Sequence, residues 1–177
     1  MKHGFQKISR ARESQANHMS SVNAGKIPHL RSARPHEADL LSDLALRSKS
    51  HWGYPVEFIE ACRQELTLSV EFIIASPVFV LEDGERVIGF YGLREAASEL
   101  ELLYLFVEPE FVNRGYGKLL WEHAVKMAAK LGFHKISIES DPHAEAFYQS
   151  MGARRIGTVN SAVQPGRTLP VLEFSLQ

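Results

Sequence analysis

Leu100-Glu101-Leu102-Leu103-Tyr104-Leu105-Phe106-Val107-Glu108-Pro109 is followed, two residues on, by Val112-Asn113-Arg114-Gly115-Tyr116-Gly117-Lys118-Leu119-Leu120. The first stretch is a long β-prone run stopped by a proline. The second opens the clearest helix of the chain, predicted over 115–131. Leu120, Ala124, Met127, Ala128 and Leu131 recur along one side of it, and Gly132 stands where a C-terminal cap belongs. Between strand and helix lies a glycine turn. A helix start leaves backbone N–H groups without partners, and its dipole favours anions there. Gly115 and Gly117 let a phosphate approach the backbone closely, and Arg114 and Lys118 add positive charge. The same residues also suit a plain strand-to-helix turn. The spacing is not GxxxxGK[ST], since Leu119 follows Lys118, and residue 120 is Leu rather than the last glycine of GxGxxG.

Working outward, residues 29–33 alternate and read as a first strand. Pro35 opens a helical pattern carried by Ala38, Leu41, Leu44 and Ala45. An aromatic loop, His51-Trp52-Gly53-Tyr54-Pro55, interrupts it. A second helix follows, with Phe58, Ile59, Cys62 and Leu66 on one stripe. Residues 78–81 and 87–91 read as strands joined by an Asp83-Gly84 hairpin signal. Downstream, 135–139 reads as a strand. A helix is expected over 142–151, with Asp141 as N-cap and Gly152 as its stop. Strands over 153–159 and 171–176 close the chain, joined by a loop with Pro165-Gly166-Arg167. The order βααβββαβαββ predicts an α/β (α+β) fold, a mixed, mainly antiparallel sheet flanked by helices.

Composition narrows the function. The 177 residues fit one domain. Twenty basic residues against 21 acidic ones leave a net charge of −1, so no basic excess points to nucleic acid as a partner. Cys62 is the single cysteine, which excludes an internal disulfide and gives no zinc cluster, so no metal is expected. A reducing, cytoplasmic setting is the natural expectation. The apolar run 102–107 is too short for a membrane span. Residues 1–27 are polar and apart from the rest. They read as a native disordered arm or a vector-derived leader, His18-Met19 being what a cloning junction leaves, with the folded domain expected over 28–177.

The strand-turn-helix stretch resembles the acetyl-CoA motif of the GNAT superfamily of N-acetyltransferases. Asp141-Pro142-His143-Ala144-Glu145-Ala146-Phe147-Tyr148-Gln149-Ser150-Met151-Gly152-Ala153 resembles its second motif, in the family's order and spacing. Three positions depart from the family pattern. Val112 stands where Gln or Arg is frequent, Asp141 replaces Asn, and Ala153 replaces Phe.

The resemblance implies acetyl-CoA as co-substrate. Leu105, Phe106 and Val107 would lie along it. Val112, Asn113, Arg114, Gly115, Tyr116, Gly117 and Lys118 would hold the pyrophosphate, and Asp141, Ala144 and Phe147 would complete the site. It also implies that Tyr148 protonates the leaving thiolate. Glu101 would take the proton of the attacking amine, with Glu99, Glu95 or a water chain as alternatives. His51, Trp52 and Tyr54 fall in the family's acceptor region, and Arg167 in a loop that borders it. Each also has a structural reading, in packing or as a solvated charge. The expected function is transfer of acetyl from acetyl-CoA to a primary amine of a small molecule or peptide. The alternatives are a non-catalytic acyl-CoA-binding module, or acetylation of protein lysine or aminoacyl-tRNA. A homodimer is compatible with the family.

Overall fold

The computed structural model describes residues 28–96 and 99–176. The N-terminal arm, 1–27, lies outside the described residues. From the N-terminus come strand β1 (His29–Ser32), helices α1 (Ala38–Ser50), α2 (Val56–Ala61), α3 (Arg63–Leu66) and α4 (Val70–Ala75), then strands β2 (Val78–Asp83), β3 (Arg86–Ala96) and β4 (Glu99–Val107). Helix α5 (Tyr116–Lys130), β5 (Lys135–Glu139), α6 (Glu145–Ser150), β6 (Arg154–Asn160) and β7 (Thr168–Ser175) follow. Short 3-10 turns at Pro35–Glu37 and Pro109–Phe111 enter α1 and the glycine turn. The sheet has seven strands in the order β1-β2-β3-β4-β5-β7-β6. Every neighbouring pair is antiparallel except β4 and β5, which run parallel. The expected fold class holds.

Two apolar cores sandwich the sheet. One face packs under α5 and α6, through Ile88, Tyr91, Leu93, Leu120, Trp121, Ile136 and Tyr148 among others. The opposite face packs under α1–α4, through Leu41, Leu44, Cys62, Ile73, Val80 and Phe90. Residues 87–93 of β3 are therefore buried on both sides, which is why they read as continuous apolar sequence rather than alternation. Gly89 belongs to this packing. A Cβ there would sit 2.9 Å from the Phe106 carbonyl oxygen and 3.1 Å from Leu120 Cδ1.

Two local expectations change, and one helix was not anticipated. The single helix expected through Phe58, Ile59, Cys62 and Leu66 is two short helices. The chain tightens at Cys62, whose N–H donates to both Phe58 O and Ile59 O. Helix α4 lies on a Val-Glu-Phe-Ile-Ile-Ala stretch whose β-branched residues conceal it. It starts because Ser69 Oγ accepts from Phe72 N at 3.1 Å, and it stays because Ile73 is buried. The helix expected over 142–151 shortens to α6. Asp141 accepts from His143 N at 2.9 Å, the reach of an Asx turn, so 142–144 form a turn and the helix begins at Glu145.

Candidate active site

The parallel pair β4–β5 decides the geometry of the site. Among the described residues it is joined only at Leu100↔Ile136 and Glu101↔Ser137. From Leu102 onward the two strands part, and a cleft of about 650 Å³ opens between them. Against β3, the register of β4 skips Leu103, Gly92 facing Tyr104 and Leu93 facing Leu102. This bulge switches which residues face which core. Leu100 and Leu102 pack with the α5 core before it, Leu105 and Val107 after it, while Tyr104 and Phe106 turn to the α1–α4 side. Glu108 N donates to Ile88 O on the β3 side at 2.9 Å. Backbone groups alternate along a strand, so the N–H and C=O of Val107 and Leu105 point the other way, into the cleft.

The glycine turn closes one end of the cleft. Asn113 (φ 63°) and Gly115 (φ 86°) both take left-handed backbone conformations, curling the chain before α5. The first helical bond runs from Leu119 N to Gly115 O at 3.2 Å. The N–H groups of Tyr116, Gly117 and Lys118 have no acceptor among the described residues, and they gather at the positive end of a 15-residue helix. Phe147, on α6, faces Gly117. Beside it Tyr148 is 7% exposed, its ring set edge-on against Trp121 and Phe147. The Tyr148 hydroxyl has no protein partner, yet it is not a sealed polar atom, so it is met by the cleft it lines. Burial pushes this phenol well above its ordinary range, so it stays protonated.

The opposite wall is polar and cationic. Asp141, at the end of β5, gathers four donors. Lys49 Nζ lies at 2.9 Å, Tyr54 OH at 2.8 Å, Arg167 Nη2 at 3.4 Å and His143 N at 2.9 Å. Burial alone would raise the Asp141 carboxyl, but the Lys49 bond and charge, with the His143 and Tyr54 bonds, outweigh it and hold the carboxyl below its usual range. Trp52 and His143 stack with parallel rings 5.4 Å apart. Deeper along β4, Arg94 Nε donates to Glu101 Oε2 at 2.8 Å in an ion pair.

The family profile described as Acetyltransferase (GNAT) family matches residues 44–153, most of the chain. The chain belongs to the GNAT acetyltransferase family. Solved GNAT-type structures share its fold. The PaiA N-acetyltransferase of Thermoplasma acidophilum, solved with coenzyme A, superposes with a TM-score of 0.72 at 20% identity, over 85% of this chain and 100% of that one. A GCN5-related N-acetyltransferase of Rhodopseudomonas palustris gives 0.71 at 18% identity, over 90% and 99%. The yncA protein of Salmonella typhimurium, solved with acetyl-CoA, gives 0.62 at 16% identity, over 86% and 95%. No curated protein matches the sequence.

In this GNAT chain the residues singled out from sequence converge on the cleft, with exceptions. Glu101, Leu105, Phe106, Val107, Val112, Asn113, Gly115, Gly117, Lys118, Ala144, Phe147, Tyr148, Trp52 and Arg167 all line it. Arg114 lies instead over the Phe111 ring at 5.3 Å, and Tyr116 packs on the same ring. His51 is exposed and meets Trp52 edge-on, outside the lining. Tyr54 stands behind the wall, bonded to Asp141 and Arg167. Asp141 lines the cleft far from the glycine turn in role. Its carboxylate belongs to the cationic wall, because Lys49 and Tyr54 already hold it there. Sequence reasoning missed Lys49, Arg94 and the stacking of His143. Lys49 carried a readable signal only as a basic residue in the last turn of α1, and its partner lies 92 positions away. Among the described residues no helix is long and apolar enough to cross a membrane.

Proposed function

We propose that this chain binds acetyl-CoA in the β4–β5 cleft and transfers the acetyl group to a primary amine of a small molecule or peptide by direct attack. The observation that carries this reading is the unpaired β4 edge running up to an unpartnered helix N-terminus. A strand edge offers N–H and C=O groups to an extended amide chain, and free helix N–H groups suit a pyrophosphate. Gly117 and Lys118 would hold the phosphates. Leu105 and Val107 offer backbone groups to the pantetheine amides and an N–H to the oxygen that becomes negative when the amine attacks the thioester. Proximity then supplies much of the rate. Tyr148, neutral and facing the cleft, donates its proton to the departing thiolate. Glu101 accepts the ammonium proton when the incoming amine displaces Arg94 from its carboxylate.

Thermal melting with acetyl-CoA, followed by thiol release with a panel of amines, tests the proposal. Ligand binding to the native state raises Tm by mass action. At Gly117 a Cβ meets only the Phe147 ring, at 3.6 Å, so Gly117→Val folds while its side chain crowds the phosphate approach. Acetyl-CoA raises Tm in the parent protein and not in Gly117→Val. An undiminished shift in that variant removes the pyrophosphate assignment. A shift without thiol release from any amine leaves a binding module in place of an enzyme.

A further inference from the structure

The cationic wall of the cleft has donors left over and no acceptors. Asp141 is saturated, since Oδ1 accepts from Tyr54 OH and His143 N while Oδ2 accepts from Lys49 and Arg167. The cations are not. Arg167 uses only Nη2, on Tyr54 OH at 2.8 Å and Asp141 at 3.4 Å, so its Nε and Nη1 hydrogens meet no acceptor among the described residues. Lys49 spends one of its ammonium hydrogens. Both side chains line the cleft at only 16% and 14% exposure, so the free donors face the cavity rather than bulk water. The guanidinium lies over two rings, 4.7 Å from the centre of Phe58 and 5.1 Å from that of Tyr54. Two positive charges against one negative leave an excess of one. Arg94 and Glu101 cancel each other, and the other charged lining residues, Glu65, Glu139 and Lys118, are solvent-exposed. The stacked Trp52 and His143 give this wall a flat apolar flank.

We infer that Lys49 and Arg167 form a carboxylate subsite, so that the acceptor is an amine that also carries a carboxylate group. This rests on the acetyl-transfer reading of the same cleft. A carboxylate there gains charge-assisted hydrogen bonds from donors already oriented by Tyr54, Phe58 and Asp141. A neutral amide at the same place offers one weak acceptor and brings N–H groups against two cations.

Trp52, 40% exposed beside this wall, provides a fluorescence readout independent of turnover, with Trp52→Phe as the control for emission from the buried Trp121. The probes are paired N-acetyl amino acids and their carboxamides, titrated with and without coenzyme A. Being acetylated, they differ in the carboxylate and not in amine basicity. The carboxylate member binds about 10- to 100-fold more tightly, the range of a hydrogen bond to a charged group. Arg167→Gln brings the ratio close to one while the acetyl-CoA melting shift survives, and Arg167→Lys retains part of the ratio. Equal binding of the two members, binding of neither, or a ratio unchanged in Arg167→Gln overturns the subsite. Carboxylate-selective binding without acetyl transfer to any free amino acid keeps the subsite and removes the acetyltransferase reading. Acetylation of plain amines without carboxylate selectivity does the reverse.

Discussion

Tyr148 presents a neutral hydroxyl to the cleft from a ring fixed on two sides by Trp121 and Phe147. Replacing it with Phe removes one oxygen and keeps the packing. Tyr148→Phe is expected to retain the acetyl-CoA melting shift and to lower turnover about 10²-fold or more, the usual scale of general acid catalysis. Unchanged turnover, with chemistry rate-limiting, makes it a packing residue. Glu101 is tested by Gln, which keeps an acceptor oxygen and loses the basicity. The expected result is a lower rate with acetyl-CoA binding intact, in initial rates at saturating acetyl-CoA. A variant that keeps the rate moves the base elsewhere, with Glu99 next. Tyr148 was legible in the sequence because its motif is local. The Arg94 partner of Glu101 and the Lys49 partner of Asp141 were not, since each pairing exists only once the sheet and α1 have been placed around the cleft.

Among the elements, β4 and α5 could be read directly, one from its apolar run and the other from a stripe ending at Gly132. The α2–α3 segment was read as one helix, and α4 was not read at all. Short helices have little room for periodicity, and α4 is made of residues that favour strands, with a serine cap and one buried isoleucine deciding the outcome. The packing of β3 on β4 yields a prediction of its own. Gly89→Ala places a methyl 2.9 Å from Phe106 O, which is backbone and cannot rotate aside. The strand has to shift, at a cost of about 1–3 kcal/mol in denaturant unfolding. Because Phe106 belongs to the strand that borders the cleft, the acetyl-CoA shift is expected to shrink as well. A variant as stable as the parent means that β4 yields there without strain.

For the whole molecule, acid is the expected weakness. Burial, helped by Lys126, lowers the pKa of His123, which shares a 2.7 Å hydrogen bond with Tyr91 OH. Burial opposes ionisation of Asp141 and Glu37, yet Lys49 and Arg31 respectively hold both below the usual carboxylate range. In each case the folded pKa lies under the unfolded one, so the contribution is complete above the unfolded value and is lost as pH falls through the folded value. Melting temperature is therefore expected to be level from about pH 8 to 7, to dip below about 6.5 as His123 charges, and to fall steeply below about 4 with the carboxylates. A Tm that is flat or rising towards pH 4 contradicts these assignments. The antiparallel hairpins were legible at this scale, but the parting of β4 from β5 was not in the periodicity, which records which face of a strand is buried and says nothing about whether its edge has a neighbour; only the family resemblance, which laid acetyl-CoA along residues 105–107, implied an open edge there. That parting has a mechanical side. Among the described residues only two residue pairs stitch β1–β4 to the β5-β7-β6 half. The rest of the seam is held by apolar contact beneath α5 and by the bonds from Lys49 and Tyr54 to Asp141 and from Arg167 to Tyr54. Apolar contact has no preferred direction, whereas these bonds fix distance and angle, so the wedge is greased on one side and clasped at its polar wall.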